Sequence, residues 1–247
     1  MSWTVIEGDA WQFLPYYAEG SVDHVITDPP YLDLVSDGAR SSRTVANQPV
    51  KPRVVPIGFR GIDGREPELA QLLVRVARRW AIAFCAFEQL GEYRRGVPEA
   101  WIRSGVWRKY DPTPQFTGDR PGVCGEALAI MHRPGKKRWS RGGVAAYWVS
   151  NTSRGLERYG GHPTPKPVKL MMELVEAFTE PGETVLDPFC GSGTTGVACL
   201  RLGRRFVGIE QNPEYAALSR RRLEAEANQS DVRSADRGQM PLFGGDK

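Results

Sequence analysis

Two short segments of this 247-residue chain carry residue types that could do chemistry. The first is Asp28-Pro29-Pro30-Tyr31, which directly follows the apolar run at 22–27. Consecutive prolines fix φ and remove two backbone donors, so the loop is stiff and its carbonyls are left to accept hydrogen bonds from a ligand. Asp28 adds a carboxylate acceptor and Tyr31 an aromatic face; the plain alternative is a rigid turn that closes a strand. The second segment, Asp187-Pro188-Phe189-Cys190-Gly191-Ser192-Gly193-Thr194-Thr195-Gly196, reads as a strand end, a glycine turn and a helix start. Gly191 and Gly193 tolerate positive φ and allow a ligand close to the backbone. Glu210 ends the following strand, where a carboxylate can accept hydrogen bonds from the ribose hydroxyls of an adenosine group. Gly191, Gly193 and Gly196 spell GxGxxG, so a methyl donor, a nicotinamide dinucleotide and a purely structural turn all fit. A Walker phosphate loop does not, because no Gly-Lys-Ser/Thr follows. Asp187 suits a cationic ligand such as a sulfonium and would repel a pyrophosphate.

The elements that must hold these segments read as an α/β domain, a mostly parallel, Rossmann-like sheet with helices on both faces. Strands are expected at 4–7, 22–27, 80–86, 106–110, 127–132, 184–187 and 205–210. Helical periodicity places Leu69, Leu72, Leu73 and Val76 on one face of 66–79, and Leu170, Leu174 and Ala177 on one face of 168–178. The last helix starts with Asn212 as cap, Pro213 in the first turn and Glu214 at the positive dipole end, and runs to about 227. Residues 1–227 then form one domain, and the polar stretch 228–247 is expected to be a flexible tail.

Composition narrows the class. Hydrophobic residues at 40% and charged residues at 25% are ordinary for a globular chain, which excludes wholesale disorder. No run is apolar for the roughly 20 residues a membrane span needs, and the N-terminus lacks a basic segment leading into an apolar one. Cys85, Cys124, Cys190 and Cys199 form no CxxC pair, so neither a disulfide framework nor a metal site is expected, and a reducing cytoplasm fits. The formal charge of +4 is unevenly spread. Residues 32–65 carry +3 and residues 133–161 carry +6, leaving −5 for the remainder. Such clustering is the footprint of a polyanion-binding surface, with a solvated basic loop as the bland alternative.

The Asp28-Pro29-Pro30-Tyr31 tetrapeptide and the loop from Asp187 to Thr195 together resemble the β arrangement of the amino-methylating DNA methyltransferases of bacteria and phages. In that arrangement the catalytic tetrapeptide comes first and the cofactor loop last. Gly8-Asp9-Ala10, Ser21-Val22-Asp23 and His162-Pro163-Thr164-Pro165-Lys166-Pro167 match in the same order, and the likeness spans 5 to about 226. It implies a permuted methyltransferase fold and S-adenosylmethionine as the donor. By resemblance, the donor is held by Asp9, Ala10, Thr164, Lys166, Asp187, Pro188, Phe189, Gly191, Ser192, Gly193, Thr194, Thr195 and Glu210. The recognition region is shorter than the family often carries.

Under this reading Asp28 and the Pro29 carbonyl hold the two N–H groups of an exocyclic amine, a poor nucleophile because its lone pair is delocalised into the ring. Pro30 stiffens the loop and Tyr31 stacks on the base. In-line transfer then owes its rate to orientation and electrostatics. The base must be flipped out of the duplex, at roughly a few kcal/mol. Asp at position 28 resembles the adenine-N6 enzymes more than the cytosine-N4 ones. Cytosine C5 chemistry needs a Pro-Cys nucleophile, which the chain lacks. An NAD-dependent oxidoreductase would leave the tetrapeptide and both basic segments unexplained, and a catalytically dead nucleic-acid adaptor is a third reading.

Double-stranded DNA is the expected partner, contacted by Arg40 and Arg43 in a mobile loop at 32–65. The remaining contacts are expected from Lys136, Lys137, Arg138, Arg141 and Arg154 in a recognition segment at 133–161, with Trp139, Tyr147, Trp148 and Tyr159 for stacking. Gln239, Leu242 and Phe243 resemble the short peptide by which bacterial proteins dock on the replication sliding clamp. The likeness allows a monomer or a homodimer.

Overall fold

The computed structural model describes residues 2–30, 62, 64–112, 118–119, 121–152 and 165–228. Along the chain these form β1 (Trp3–Glu7), α1 (Ala10–Phe13), β2 (His24–Thr27), α2 (Glu66–Val76), β3 (Trp80–Cys85), α3 (Leu90–Gly96), β4 (Trp101–Lys109), β5 (Gly125–His132) and β6 (Tyr147–Ser150). There follow α4 (Val168–Phe178), β7 (Thr184–Asp187), α5 (Thr194–Arg201), β8 (Arg205–Glu210) and α6 (Pro213–Ala227).

Eight strands make one sheet in the order β1-β8-β7-β2-β3-β5-β4-β6. From β1 to β3 every pairing is parallel. Then β5 runs antiparallel to β3 and β4 antiparallel to β5, while β6 is parallel to β4. The mostly parallel expectation holds, with β5 as the reversed strand. The permutation is visible in the centre, where β2 and β7 lie side by side although 160 positions separate Thr27 from Asp187.

Strand periodicity builds a core on each face. On β3, Trp80, Ile82 and Phe84 point to the layer of α4, α5 and α6, joined there by Leu128 and Ile130 of β5. Ala81, Ala83 and Cys85 point the other way, with Ala127 and Ala129, under α2 and α3. Because both faces are covered, β3 reads as an unbroken apolar run rather than an alternating one.

The bounds 184–187, 205–210 and 168–178 are as the sequence predicts, and Asn212 caps α6 by accepting from the N–H of Glu214 and Tyr215. The helix expected at 66–79 stops at Val76, since Ala77 is extended and leads into β3. Besides the four-residue α1, three elements escape the apolar pattern. They are β6, the α3 stretch Leu-Gly-Glu-Tyr-Arg-Arg-Gly, and the first half of β4, whose pairing slips between Trp101 and Arg103.

Helix α5 packs through a side-chain-free contact. A Cβ at Gly196 would stand 2.7 Å from Phe206 of β8 and 2.7 Å from Leu223 of α6. Gly196 therefore sets the spacing between helix, strand and neighbouring helix rather than meeting a ligand. Gly196→Val should cost about 1–3 kcal/mol by overpacking, which thermal unfolding followed by circular dichroism would show as a midpoint several degrees lower. An unchanged midpoint would mean that α5 can back away from the sheet.

Candidate functional site

A buried carboxylate fastens the two chemically suggestive loops to each other. Thr27, the last residue of β2, donates its hydroxyl to Asp187 Oδ1 at 2.7 Å, and Thr195 donates to Oδ2 at 2.6 Å. The Phe189 N–H adds a third bond, to Oδ1 at 3.2 Å. Asp28 follows Thr27 directly, so this bond sets the catalytic tetrapeptide beside the glycine turn. Asp187 is 2% exposed, and burial pushes its pKa up to about 6 against the pull of the Thr195, Thr27 and Phe189 bonds, with the charge of Asp28 adding to the rise. Both of its oxygens thus have partners inside the protein, and what reaches the pocket is its charge.

The turn itself is a backbone feature. Gly191 and Gly193 have φ of 51° and 79°, and Gly193 caps α5 from the left-handed region. A Cβ at Gly193 would also stand 2.3 Å from Ser219 Oγ. Gly191 donates its N–H to Glu210 Oε2 and Asn212 donates to Oε1, both at 2.8 Å. Glu210 is therefore drawn against the turn at the end of β8. Burial raises its pKa, opposed by the N–H groups of Asn212, Gly191 and Gln211. These backbone donors fix one orientation of an acceptor-only group at the end of β8, the kind of chemistry a ribose diol requires.

Ser192 and Thr194 were expected to touch a cofactor. Instead both are buried, and their side chains receive the Arg222 guanidinium at 2.9 and 3.3 Å. Thr195 is committed to Asp187 in the same way. These three side chains brace the turn from within the protein. Pro188 is buried and Phe189 half-buried. On the other side of Glu210, its carbonyl accepts the Gly8 N–H at 2.9 Å, which brings in Asp9 and Ala10. Asp9 caps α1 through Trp11 N–H, and Ala10 is buried.

Lys166, which by resemblance is expected to help close the cofactor pocket, reaches two acids. Its Nζ stands 2.5 Å from Asp28 Oδ2 and 3.1 Å from Glu126 Oε2. Lys109 Nζ holds the other Glu126 oxygen at 2.6 Å. Beneath lie two rings: Lys166 Nζ is 4.9 Å from the Phe84 centroid and 5.8 Å from that of Trp107. Burial would lower the Lys166 pKa, but Asp28 and Glu126 outweigh it and the net shift is upward. Lys166 is a buried, charged lysine. Glu126, Lys109, Phe84 and Trp107 were not foreseen as site residues. The available signal was Glu126 itself, an acid at the start of an otherwise apolar strand. Pro29 is buried beside Asp28, and the Pro30 carbonyl accepts the Ile62 N–H at 3.4 Å.

Four of the expected DNA contacts lie away from the Asp28 loop. Because β5 is reversed, the segment after His132 leaves at the edge of the sheet opposite to Asp28, Asp187 and Glu210. Lys136, Lys137, Arg138 and Arg141 lie there. The Arg138 carbonyl accepts from Trp80 at the start of β3, and Ser140 N–H reaches the Ala177 carbonyl near the end of α4. Their charge is real, but the sheet stands between them and the catalytic loop. Trp148 is 1% exposed and Trp139 packs on Phe178 at 4.9 Å, so these aromatics complete a core instead of offering stacking faces. At the catalytic edge stand Arg108 and the exposed Tyr110, with the guanidinium 5.7 Å from the ring. Tyr31, Arg40, Arg43, Arg154, Tyr159, Thr164, Gln239, Leu242 and Phe243 lie outside the described residues.

Cys190 is buried against the turn, and burial raises its thiol far above the ordinary range, so it is a packing residue and no nucleophile. Among the described residues no cluster of His, Cys, Asp and Glu could hold a metal ion, and no helix is long and apolar enough to cross a membrane.

Comparison with known proteins agrees with this geometry. Residues 103–221 match a family model described as DNA methylase. Type II methyltransferase M2.DpnII of Streptococcus pneumoniae is 49% identical over 80 residues, which is 32% of this chain and 30% of that protein. Type II methyltransferase M.XycI of Xanthomonas campestris pv. cyanopsidis is 30% identical over an alignment covering 94% of this chain and 91% of that one. Among solved structures, the M1.HpyAVI–SAM complex superposes with a TM-score of 0.67 at 24% identity, over 90% of this chain and 98% of that one. The cytosine-N4-specific PvuII DNA methyltransferase gives 0.67 at 16%, over 89% and 86%. The two structures share the fold, and the alignment along nearly the whole chain settles kinship: the protein belongs to the S-adenosylmethionine-dependent DNA methyltransferases that modify adenine N6 or cytosine N4.

Proposed function

We propose that this chain methylates adenine N6 within a short sequence of double-stranded DNA, with the base flipped out onto Asp28-Pro29-Pro30-Tyr31. The observation that carries this reading is the Thr27–Asp187–Thr195 bridge, which sets the Asp28 loop next to the glycine turn. The preference for adenine rests on Asp at position 28. Asp28 and the Pro29 carbonyl accept the two amine N–H groups and aim the nitrogen lone pair away from the ring plane. Tyr31 supplies a stacking face worth about 1–3 kcal/mol, which offsets part of the flipping cost. Glu210 accepts the ribose hydroxyls of the donor, the turn from Gly191 to Gly193 offers its backbone, and Asp9 and Ala10 close the adenosine side. The donor brings an electrophilic methyl group on a sulfonium. Asp187 favours that cation by charge at short range while staying shielded from it. The tail residues Gln239, Leu242 and Phe243 remain a proposed clamp-docking peptide, and a bacterial or phage cytoplasm is the proposed setting.

Asp28→Ala should abolish tritium transfer to plasmid DNA, a drop of about 10³-fold or more, while donor affinity holds. Sequencing the modified plasmid directly then reports base, atom and motif, and a methylated cytosine N4 would replace adenine in this reading. Wild-type turnover by the Asp28 variant would end it.

Donor affinity should depend on pH through Asp187, whose pKa stands at about 6. Above that value the carboxylate is ionised and welcomes the sulfonium; below it, binding must first expel a proton, so affinity falls by up to about tenfold per pH unit. Calorimetric titration with the donor from pH 5 to 8 should show this bend, and Asp187→Asn should flatten it. A bend that survives that substitution assigns the titration to another group.

The placement of the basic residues yields a third expectation. Replacing both Arg138 and Arg141 by Ala should leave DNA affinity and its salt dependence unchanged. Arg108→Ala, at the catalytic edge, should weaken binding and lower the salt slope by about one. Anisotropy titrations at several salt concentrations decide between them, and the reverse pattern would put DNA on the far edge.

A further inference from the structure

We propose that Glu126 is a positioning residue for methyl transfer, sharing Lys166 with Asp28 and taking the ammonium over as the target amine becomes cationic. The inference rests on the methyl-transfer reading above and adds to it a moving part.

Two acids compete for one ammonium. Lys166 Nζ lies within hydrogen-bonding reach of both, 2.5 Å from Asp28 Oδ2 and 3.1 Å from Glu126 Oε2, so a shift of a fraction of an ångström changes its allegiance. The reaction gives it cause to shift. As the N–C bond forms and the S–C bond breaks, the sulfonium becomes a neutral thioether and the positive charge passes to the target nitrogen. That nitrogen then loses a proton to Asp28, which releases it to solvent. An ammonium resting on Asp28 repels the incoming charge, weakens the carboxylate as an acceptor and occupies one of its oxygens.

Lys166 cannot simply withdraw into the protein. It is 10% exposed as a side chain, and a buried cation without an anion is costly. Glu126 supplies that anion. Its own position is fixed from behind, because Lys109 holds Oε1 at 2.6 Å and β5 seats the residue opposite Trp107 of β4. The Phe84 and Trp107 rings lie along the ammonium's surroundings and stabilise it wherever it sits between the two acids. With Lys166 leaning on Glu126, the share of the Asp28 charge that Lys166 had neutralised is turned toward the amine.

Glu126→Gln keeps the shape and removes the anion. At saturating donor, kcat for tritium transfer to plasmid DNA should fall about tenfold or more, with the donor dissociation constant and thermal midpoint little changed. Adding Lys166→Met to that variant should recover about threefold or more of the rate, since Lys166 then no longer holds Asp28. Glu126→Asp, which retains the charge at shorter reach, should lose less and be relieved by the same second change, and it carries the test if the Gln variant melts early. A Gln variant with unaltered kcat overturns the proposal. So does a loss that Lys166→Met fails to relieve, because a merely structural Glu126 would make the two losses accumulate. An unsubstituted chain without methyl transfer would instead overturn the reading on which the proposal rests.

Discussion

The bond network on Asp187 is the constraint from which the rest of the site follows. In the reaction proposed above, one loop grips a nucleobase and the other holds a donor, and the two must sit at a fixed separation for in-line transfer, since orientation on this scale accounts for much of the rate of such reactions. The chain meets the requirement with a carboxylate that never needs to touch either substrate. Thr27 ties it to the start of the catalytic loop, Thr195 to the first turn of α5, and the Phe189 N–H to the turn between. The two threonine bonds are buried, so breaking either would leave a buried polar group unsatisfied and cost about 1–3 kcal/mol. Burial raises the pKa of Asp187 to about 6, and near neutral pH it stays an anion beside a place suited to a cation.

From that bridge the hydrogen bonds run outward in both directions along the sheet edge. On one side Glu210 draws Gly191 and Asn212 together and, through the Gly8 N–H on its carbonyl, fixes the start of α1. On the other, Asp28 meets Lys166, Lys166 meets Glu126, and Glu126 meets Lys109. The two sides differ in kind. The Glu210 side is built from backbone donors, which hold one geometry. The Lys166 side alternates acids and ammoniums on flexible stems, a weak source of net stability but one that can rearrange when a charge arrives. A site that must bind one ligand and then accommodate a moving charge has use for both.

Much of this was legible in the sequence, for a physical reason. Strands at 184–187 and 205–210 and the helix at 168–178 have their bounds written in local features, namely apolar runs, a capping Asn212 and glycines at a turn. The tetrapeptide at Asp28 announces itself because two prolines in sequence constrain the backbone whatever surrounds them. Side-chain allegiance is different, since it depends on which residues distant in sequence arrive nearby. Ser192, Thr194 and Thr195 are carried over as ligand contacts by resemblance, and Arg222 and Asp187 bind their side chains from within the protein. Lys166 reads as part of a cofactor motif, while its nearest described acids are Asp28, 138 positions earlier, and Glu126 on a reversed strand.

The basic segment after β5 shows the same limit at a larger scale. Charge counting found the densest positive stretch correctly, and electrostatics alone would send DNA there. Direction along the chain is what charge counting leaves out. A single antiparallel strand in a parallel sheet exchanges the edges at which its two flanking segments emerge, so the residues before β5 arrive at the catalytic edge and those after His132 at the other. Trp139, beside the end of α4, and Trp148, on β6 opposite Trp107, would have looked like stacking partners on a DNA-binding loop, yet both turn inward onto Phe178 and close a core there. Aromatic residues among arginines are thus ambiguous until strand direction is known. Here Trp139 and Trp148 go to packing while Tyr147 stays exposed, and the direction of β5 sets Lys136, Lys137, Arg138 and Arg141 at the edge away from Asp28, Arg108 and Tyr110.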